Sequence, residues 1–357
     1  MAHLVDSMAF VGQTPWHGLG NQLAPKQPIE VWAEQAGMNW TIQESAVHFI
    51  AGQDPQAHPQ QPLIQLKDSQ LQQPLDQVLP FTDHKVLFRS DTHEPLSVVS
   101  QRYHVVQPRQ ILEFYRDLTE KSDFELETAG VLKGGRKLWA LARTGQSAAI
   151  KGKDVTNGYV LLATACDGTL ATTAQFTSIR VVCNNTLAIA LNEMAGKGNK
   201  GNSALSSQGI VKVPHNTRFD AASVKQALGI SVSSWDEYIY RLNLLSDRKV
   251  KPTEADRFLW DVFNDDSTRN NNRGSALSNG SFNERAINKT KTLFEGHGRG
   301  AMMQSARGTA FGLLNSVTEF IDHERKAKST DHRLDSAWFG TGAAIKQRAL
   351  DLAIQMI

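Results

Sequence analysis

The sequence predicts an α+β fold, in which an antiparallel β-meander packs on helices and a mostly helical C-terminal region follows. Between Phe124 and Phe176, strand-like segments are joined at Gly134-Gly135 and Asp167-Gly168. Such dipeptides are typical of β-hairpins, because the favoured turns need positive φ. Beyond position 210, apolar residues recur at helical spacing instead. Strands and helices that are segregated along a chain are typical of the α+β class.

Each element has its own local signal. We expect a short helix at Ile29–Gly37, a strand at Trp40–Ile50 and a helix at Arg109–Lys121, which Pro108 suits as its first-turn residue. The meander strands are predicted at Phe124–Leu132, Lys137–Arg143, Tyr159–Cys166 and Thr169–Phe176, and a helix at Ser178–Asn192 is expected to close the unit. The later helices are predicted at Asp220–Arg248, Thr253–Asn264, Phe282–Glu295, Ser305–Glu324 and Ser336–Met356.

Composition shifts along the chain predict its organisation. Residues 1–195 form the expected α+β core, and they include a Gln/Pro-rich insertion at 53–80 that suits a long loop. Residues 196–210 are rich in Gly, Ser and Asn, which predicts a flexible linker or loop. Residues 211–357 form the expected helical region.

The bulk composition excludes several classes of protein. Hydrophobic residues make up 40% of the 357 positions and charged residues 21%, which is typical of globular chains. No apolar run approaches the roughly 18 residues of a membrane helix, and the first ten residues lack the pattern of a secretory signal. Cys166 and Cys183 are too few and too far apart for a disulfide scaffold. We therefore expect a cytoplasmic protein that does not enter a membrane.

Charge is distributed unevenly between the two parts of the chain. Residues 1–128 carry 8 Lys+Arg against 16 Asp+Glu, whereas the remainder carries 30 against 20. An excess of positive charge in one part is a hint of contact with nucleic acid or another polyanion. A solvated surface explains the same excess, so charge alone does not decide the function.

The basic hairpin is the strongest candidate site. Between Ala129 and Lys153 there is no acidic residue, and the Gly-Gly turn is bracketed by cations. Phosphate binding by such a tip would follow from counterion release. Trp139 on the returning strand either stacks on a base or faces the core. The predicted DNA-binding cations of this hairpin are Lys133, Arg136, Lys137, Arg143, Lys151 and Lys153.

Arg180 is the only charged residue from Thr169 to Asn192. A helix start favours anions rather than cations, so an arginine there needs another reason. It is either a phosphate ligand or one half of a structural ion pair. Nearby Asn184 is a further candidate for contact with sugar or base edges.

Catalytic motifs find little support. The chain has no His-Glu-x-x-His and no Gly-x-Ser-x-Gly pattern, and Arg136 stands where a phosphate-binding loop needs lysine. Asp154 and Asp167 are the carboxylates that a metal-dependent nuclease would have available. We predict no catalytic residue, no metal ligand and no cofactor, and we regard an enzyme as the less favoured interpretation.

Several segments carry a resemblance to a known family. They are Leu96–Tyr103, Thr128–Leu132 with Gly134-Gly135-Arg136, Thr177–Leu187, Ala337–Gly342 and Lys346–Ala349. With these segments the chain resembles the phage/plasmid-like protein family, the domain of unknown function 932, which has no settled activity. The resemblance implies an origin in phages or plasmids.

A more remote similarity rests on element order alone. A strand-containing segment, a helix, a β-meander and a second helix are similar to the core of ring-forming single-strand annealing proteins of the Red beta type. That similarity implies a homo-oligomer, in the form of a ring, that holds single-stranded DNA in a basic groove. Similarity at the level of the fold is an associational argument.

The sequence thus predicts a phage- or plasmid-derived protein that binds single-stranded DNA and promotes annealing in recombination without making or breaking bonds. The alternative is a protein-binding modulator of a host process such as defence or replication. The third interpretation is a metal-dependent nuclease.

Overall fold

The computed structural model describes residues 5–12, 20–51, 77–121, 124–182, 185–188, 210–232, 235–264, 276–328 and 330–357. Its strands are β1 Val5–Val11, β2 Asn21–Leu23, β3 Ile42–Ala51, β4 Gln77–Arg89, β5 Pro95–Ser100, β6 Glu125–Leu132, β7 Lys137–Ile150, β8 Asp154–Ala165, β9 Thr172–Arg180, β10 Asn185–Ala188 and β11 Ile210–Val213. Its helices are α1 Ile29–Gln35, α2 Pro108–Lys121, α3 Ala221–Val232, α4 Trp235–Asp247, α5 Pro252–Phe263, α6 Ala276–Thr292, α7 Ala310–Glu319, α8 Thr330–Phe339 and α9 Thr341–Ile354.

The predicted α+β class is confirmed. Within the described ranges, a larger sheet has the strand order β10-β9-β8-β7-β6-β1-β2, with β11 also paired to β9, and a smaller sheet has the order β3-β4-β5. All pairs are antiparallel except β1 with β2. The expected glycine turns are present, because Gly134, Gly135 and Gly168 all have positive φ.

The helix predicted at Ser178–Asn192 is wrong. The strand expected at Thr169–Phe176 is present as β9, but it continues to Arg180 and pairs with β8 from Ala163↔Thr173 to Thr156↔Arg180. Strand β10 then pairs back on β9. Almost every residue of β9 is buried, and a strand that is buried on both faces shows no two-residue alternation in its sequence. Its β-branched residues favour a strand.

Element boundaries were harder to predict than the elements. The Gln/Pro-rich range 53–80 ends inside β4, because residues 77–80 belong to that strand, and residues 52–76 lie outside the described ranges. The linker range 196–210 ends on Ile210, the first residue of β11, and its other residues are not described. The single helices expected at Asp220–Arg248 and Ser336–Met356 are each two helices, α3 with α4 and α8 with α9.

Among the described residues, no helix is both long and apolar enough to cross a membrane.

Helix α2 covers one face of the meander and is fixed there by Tyr115. This residue is fully buried, and its hydroxyl lies 2.8 Å from the carbonyl oxygen of Ala140 on β7 and 3.0 Å from that of Val160 on β8. A buried hydroxyl needs such partners, because leaving it unpaired costs about 1–3 kcal/mol. The contact therefore sets the position of α2 along the two central strands.

A buried ion pair joins the meander to the C-terminal helices. Nε and Nη2 of Arg180 donate to the carboxylate of Asp154 at 2.6–3.0 Å, and the two residues are only 4% and 1% exposed. The hydroxyl of Ser305 donates to the same carboxylate. Nη2 of Arg180 also donates to the carbonyl oxygen of Gly300, at 3.1 Å. The pair therefore holds the loop that precedes α7 against the ends of β8 and β9.

The other face of the meander carries a second apolar cluster. Residues at alternate positions of β7 and β8 pack there against Leu334 and Trp338 of α8. The cluster on the sheet consists of Met8, Leu132, Trp139, Leu141, Tyr159, Leu161 and Ala163. Helix α8 therefore lies across the face of the sheet opposite to α2.

We expect Asp154→Ala to lower the free energy of unfolding by about 3–5 kcal/mol, because it leaves the Arg180 guanidinium buried without its carboxylate. Urea unfolding followed by circular dichroism measures this loss. The control is the double variant Asp154→Leu/Arg180→Met, which removes both charges and should lose clearly less than the single variant. A single variant as stable as the native protein would contradict the assignment.

Candidate nucleic-acid interface

The tip of the basic hairpin binds α8. Lys133 and Lys137 lie on either side of the turn between β6 and β7, and both donate to the carboxylate of Asp335, Lys133 at 2.6 Å. Lys137 is itself buried, and its ammonium lies 5.9 Å from the centroid of the Phe339 ring. Two of the predicted DNA-binding cations are therefore engaged within the protein.

The carboxylate of Asp335 is held in its charged form. Burial would raise its pKa, but the hydrogen bonds from Lys133 and Lys137 outweigh burial and keep the pKa below its usual value. Two lysines share one carboxylate, so the cluster keeps a net positive charge. Its position between the hairpin and α8 makes it primarily a structural contact.

The remaining hairpin cations point to different surroundings. Lys151, in the turn between β7 and β8, forms an ion pair with Asp247 at the end of α4. Arg136 and Lys153 are exposed, and neither has an ion pair with a described residue. Since Arg136 lies at the opposite end of β7 from the turn that contains Lys153, roughly 40 Å away at ~3.3 Å per residue, the two do not form one patch.

Arg143 lies on the α8-facing side of the sheet within a small polar cluster. Its Nη2 donates to Oδ1 of Asn157 at 3.3 Å, and its Nε is buried without a hydrogen-bond partner. Next to it, the hydroxyl of Tyr159 donates to Glu127 at 2.8 Å, and burial raises the pKa of Glu127. Arg143 is thus partly buried on the sheet, with one guanidinium donor left unpaired in the interior.

The sequence left two interpretations of Arg180 open, a phosphate ligand or one half of a structural ion pair, and in the structure it forms the ion pair. Its guanidinium is enclosed by Asp154, the loop at Gly300 and the ring of Phe311, which lies 5.3 Å away. Asn184 lies outside the described residues. Trp139 is 2% exposed and packs edge-on against Trp338, so it faces the core.

The two carboxylates considered for a nuclease metal are far apart. Asp154 begins β8 and is bound by Arg180, whereas Asp167 follows the other end of β8 and accepts from Thr169 at 2.6 Å in its own turn. A strand of that length spans roughly 40 Å at ~3.3 Å per residue. Among the described residues, no group of three or more His, Cys, Asp or Glu side chains has the spacing to hold a metal ion.

A further group of cations lies elsewhere, at the start of α8. A cleft of about 270 Å³ opens between the π-helical turn Phe320–Glu324 and α8. We call it the basic cleft. It is lined by Ile321, Arg325, Lys326, Ala327, Lys328, His332, Arg333 and Ser336.

The carboxylates around the basic cleft are engaged with other lysines. Asp322 accepts from Lys346 at 2.8 Å in a buried pair, and Glu324 pairs with Lys289 at 3.1 Å. Asp335 is bound by the hairpin, as described above. Lys326 and Lys328 are exposed and have no ion pair with a described residue. Lys326 and Lys328, with Arg325, therefore line the cleft without a described carboxylate partner.

Arg325 forms the floor of the basic cleft. Its Nη1 donates to the hydroxyls of Thr341, at 3.2 Å, and Ser336, at 3.5 Å, while its Nε and Nη2 donate to no described residue. Burial lowers the pKa of this guanidinium, and no carboxylate offsets that effect. An arginine has five N–H donors in a planar fork that matches phosphate oxygens. The arrangement therefore suits an anion.

The basic cleft has a signal in the sequence, but that signal is not distinctive. Arg325-Lys326-Ala327-Lys328 is a short basic run, but the chain contains other such runs, and only the fold shows which cations are neutralised. The acid-free hairpin was the more conspicuous pattern. Its partner Asp335 is 202 positions away from Lys133, which no local pattern reveals.

Most of the chain matches one protein family by sequence. Residues 95–338 match the family described as a domain of unknown function (DUF932), which is about two thirds of the chain. The chain belongs to the DUF932 family. The matched range begins at the first residue of β5 and ends within α8, so the DUF932 region contains the meander, the buried ion pair and the basic cleft. No curated protein and no solved structure matches significantly.

We expect Asp335→Asn to lower the free energy of unfolding of this DUF932 protein by about 1–3 kcal/mol at neutral pH, because two lysines lose their charged partner. Since the folded-state pKa of Asp335 is depressed, its contribution is complete above the unfolded value of about 3.9 and is lost as the pH falls through the lower folded value. The difference between the native protein and the variant should therefore shrink in acid.

Urea unfolding at several pH values measures this dependence. The matched control is Asp261→Asn, an exposed carboxylate 3.8 Å from Arg257 in a helical pair, which should change stability by less than about 0.5 kcal/mol. A difference for Asp335→Asn that stays constant down to the lowest pH would argue against a charged clamp.

Proposed function

We propose that this chain binds single-stranded DNA and promotes strand annealing without bond chemistry, with the basic cleft as its contact to the phosphates. We further propose that it acts in the cytoplasm as a phage- or plasmid-derived protein. The observation that carries the proposal is the cleft itself, where Arg325, Lys326 and Lys328 lack carboxylate partners among the described residues. Neutralising phosphates there releases counterions, which is the main source of affinity for nucleic acid.

The basic cleft supports a phosphate chain better than the hairpin does. Lys133, Lys137 and Lys151 of the hairpin are already paired with carboxylates, so a phosphate would have to displace those partners. In the cleft, Arg325, Lys326 and Lys328 have no carboxylate partner among the described residues, and two hydroxyls fix the orientation of Arg325. A preorganised donor binds an anion with little reorganisation.

The preference for a single strand rests on fold-level similarity. Helix α2 followed by the antiparallel meander β6–β9 is the part of the predicted element order that is present. The closing helix of that order is replaced by β10, so the similarity to ring-forming annealing proteins now rests on fewer elements. It remains an associational argument, which the binding measurement below decides.

An exposed apolar ribbon supports the proposed homo-oligomer. Strands β3 and β4 continue well beyond the part that β5 covers. On this extension the large apolar side chains Phe49, Ile50, Val78 and Phe81 are 43–61% exposed. The register places Phe49 and Phe81 on one face of the extension and Ile50 and Val78 on the other. Exposed apolar patches of this kind are typical of contacts between chains.

We expect the native protein to bind a fluorescently labelled single strand more tightly than a duplex of equal length, with an affinity that falls as salt rises. Fluorescence anisotropy at several salt concentrations measures both properties. Lys326→Glu/Lys328→Glu should weaken binding and reduce the magnitude of the salt slope by about 1.4, since each lost phosphate contact on a single strand contributes ~0.7.

Two controls separate the basic cleft from other surfaces. Arg136→Glu/Lys153→Glu makes the same change in net charge on the hairpin, and Lys26→Glu/Arg102→Glu makes it at exposed residues far from either site in the sequence. Both should leave the slope close to that of the native protein. If only the hairpin variant lost binding, the DNA-binding site would be the hairpin and not the basic cleft. If the native protein bound no strand at low salt, the proposed function would be wrong.

We expect Phe49→Ser/Phe81→Ser to reduce the molar mass of the protein in solution, because the ribbon loses its two aromatic contacts. Size-exclusion chromatography with light scattering measures the mass. Val98→Ser, at an apolar residue of β5 that is 58% exposed, serves as the matched control and should leave the mass unchanged. A native protein that is monomeric at micromolar concentration would contradict the proposed assembly.

A further inference from the structure

An apolar pocket lies between the sheet and the C-terminal helices. It has a volume of about 280 Å³ and is enclosed by alternate residues of β7, β8 and β9, by β11, and by the junction of α8 with α9. Its lining includes Leu141, Leu161, Gln175, Lys212, Trp338 and Phe339. This volume is just below the ~300–1,000 Å³ that is typical of ligand sites, which suits one small ring system.

Gln175 gives the pocket an unused polar group. The residue is 9% exposed and borders the pocket from the centre of β9, and its side-chain amide makes no hydrogen bond with the described residues. Because Gln175 lines the pocket, its amide is available to a group that enters the pocket. An amide offers both a donor and an acceptor on adjacent atoms. It therefore suits a ligand whose edge carries an acceptor next to a donor.

The opposite wall of the pocket is aromatic. Trp338 and Phe339 both line it, and their rings are 6.1 Å apart in an edge-to-face arrangement. The second face of the sheet holds Trp338 in place through Trp139, whose ring centroid lies 5.1 Å away. Aromatic walls of this kind bind flat rings, and stacking on a base is tolerant of base identity.

The pocket and the basic cleft meet at the end of α8. Gly340 lines the pocket, while the adjacent Thr341 accepts from Arg325 of the cleft at 3.2 Å. On the other side of the pocket, Lys212 of β11 is exposed and has no ion pair with a described residue. A flat ring in the pocket would therefore have cations on both sides of it.

We propose that the apolar pocket receives one unstacked nucleobase of the bound strand, with Gln175 bonded to the base edge and Trp338 against the ring. The proposal rests on the proposed function, since the phosphates flanking that base lie on the basic cleft and on Lys212. A base inside a duplex is stacked on both faces and cannot enter, so the pocket selects single strands.

The test compares a strand that carries bases with an abasic strand of equal length and charge, by anisotropy at low salt. The native protein should bind the base-bearing strand about tenfold more tightly, which corresponds to one stacked base. Ala343→Phe, which fills the pocket, and Gln175→Leu, which removes the amide at similar volume, should both reduce this ratio and leave affinity for the abasic strand unchanged. Circular dichroism establishes that each variant is folded.

A second measurement locates the base. Ultraviolet irradiation of a strand that contains iodouracil should crosslink it to the peptide with Trp338 or Phe339, as identified by mass spectrometry, and Ala343→Phe should abolish that crosslink. Equal affinity of the native protein for the two strands, with salt-dependent binding of both, would overturn the base pocket and leave the proposed function standing. Binding of neither strand would overturn the proposed function and the base pocket with it.

Discussion

The rest of the structure depends on one buried ion pair, Arg180 with Asp154. Two charges enclosed in the interior are tolerated only when each finds a full set of partners. Here those partners come from β8, from β9 and from the loop before α7. The meander and the helical region therefore share a single interior. The same contacts hold the loop before α7 to the end of the sheet.

Helix α8 carries out several tasks with different faces. Asp335 binds the hairpin, Trp338 packs on the sheet and lines the apolar pocket, and Arg333 and Ser336 face the basic cleft. The periodicity of a helix places neighbours in sequence on different faces. The ten residues of α8 therefore contribute to the hairpin contact, to the aromatic side of the apolar pocket and to the lining of the basic cleft.

The sequence alone predicted those elements that are determined by residues close together in the chain. The glycine turns, the first turn at Pro108 and the helix of α2 all follow from residues within a few positions of each other. The first part of β9 was predicted as a strand, but its last residues, Ser178–Arg180, were assigned to a helix because burial on both faces removes the alternation of a strand. The candidate site was harder to predict. The sequence around a lysine next to a turn does not show whether its ammonium is solvated or paired with the carboxylate of Asp335.

The long reach of the hairpin contact also bears on how the chain folds. Lys133 and Asp335 are separated by 202 positions, and contacts of such high sequence separation slow folding, because a long loop must close before the contact forms. During synthesis the meander leaves the ribosome well before α8 exists. During that interval the hairpin lysines lack the carboxylate of Asp335, and the apolar face of the sheet that α8 later covers is exposed. We therefore expect the newly synthesised sheet to be more prone to association with other chains than the folded protein.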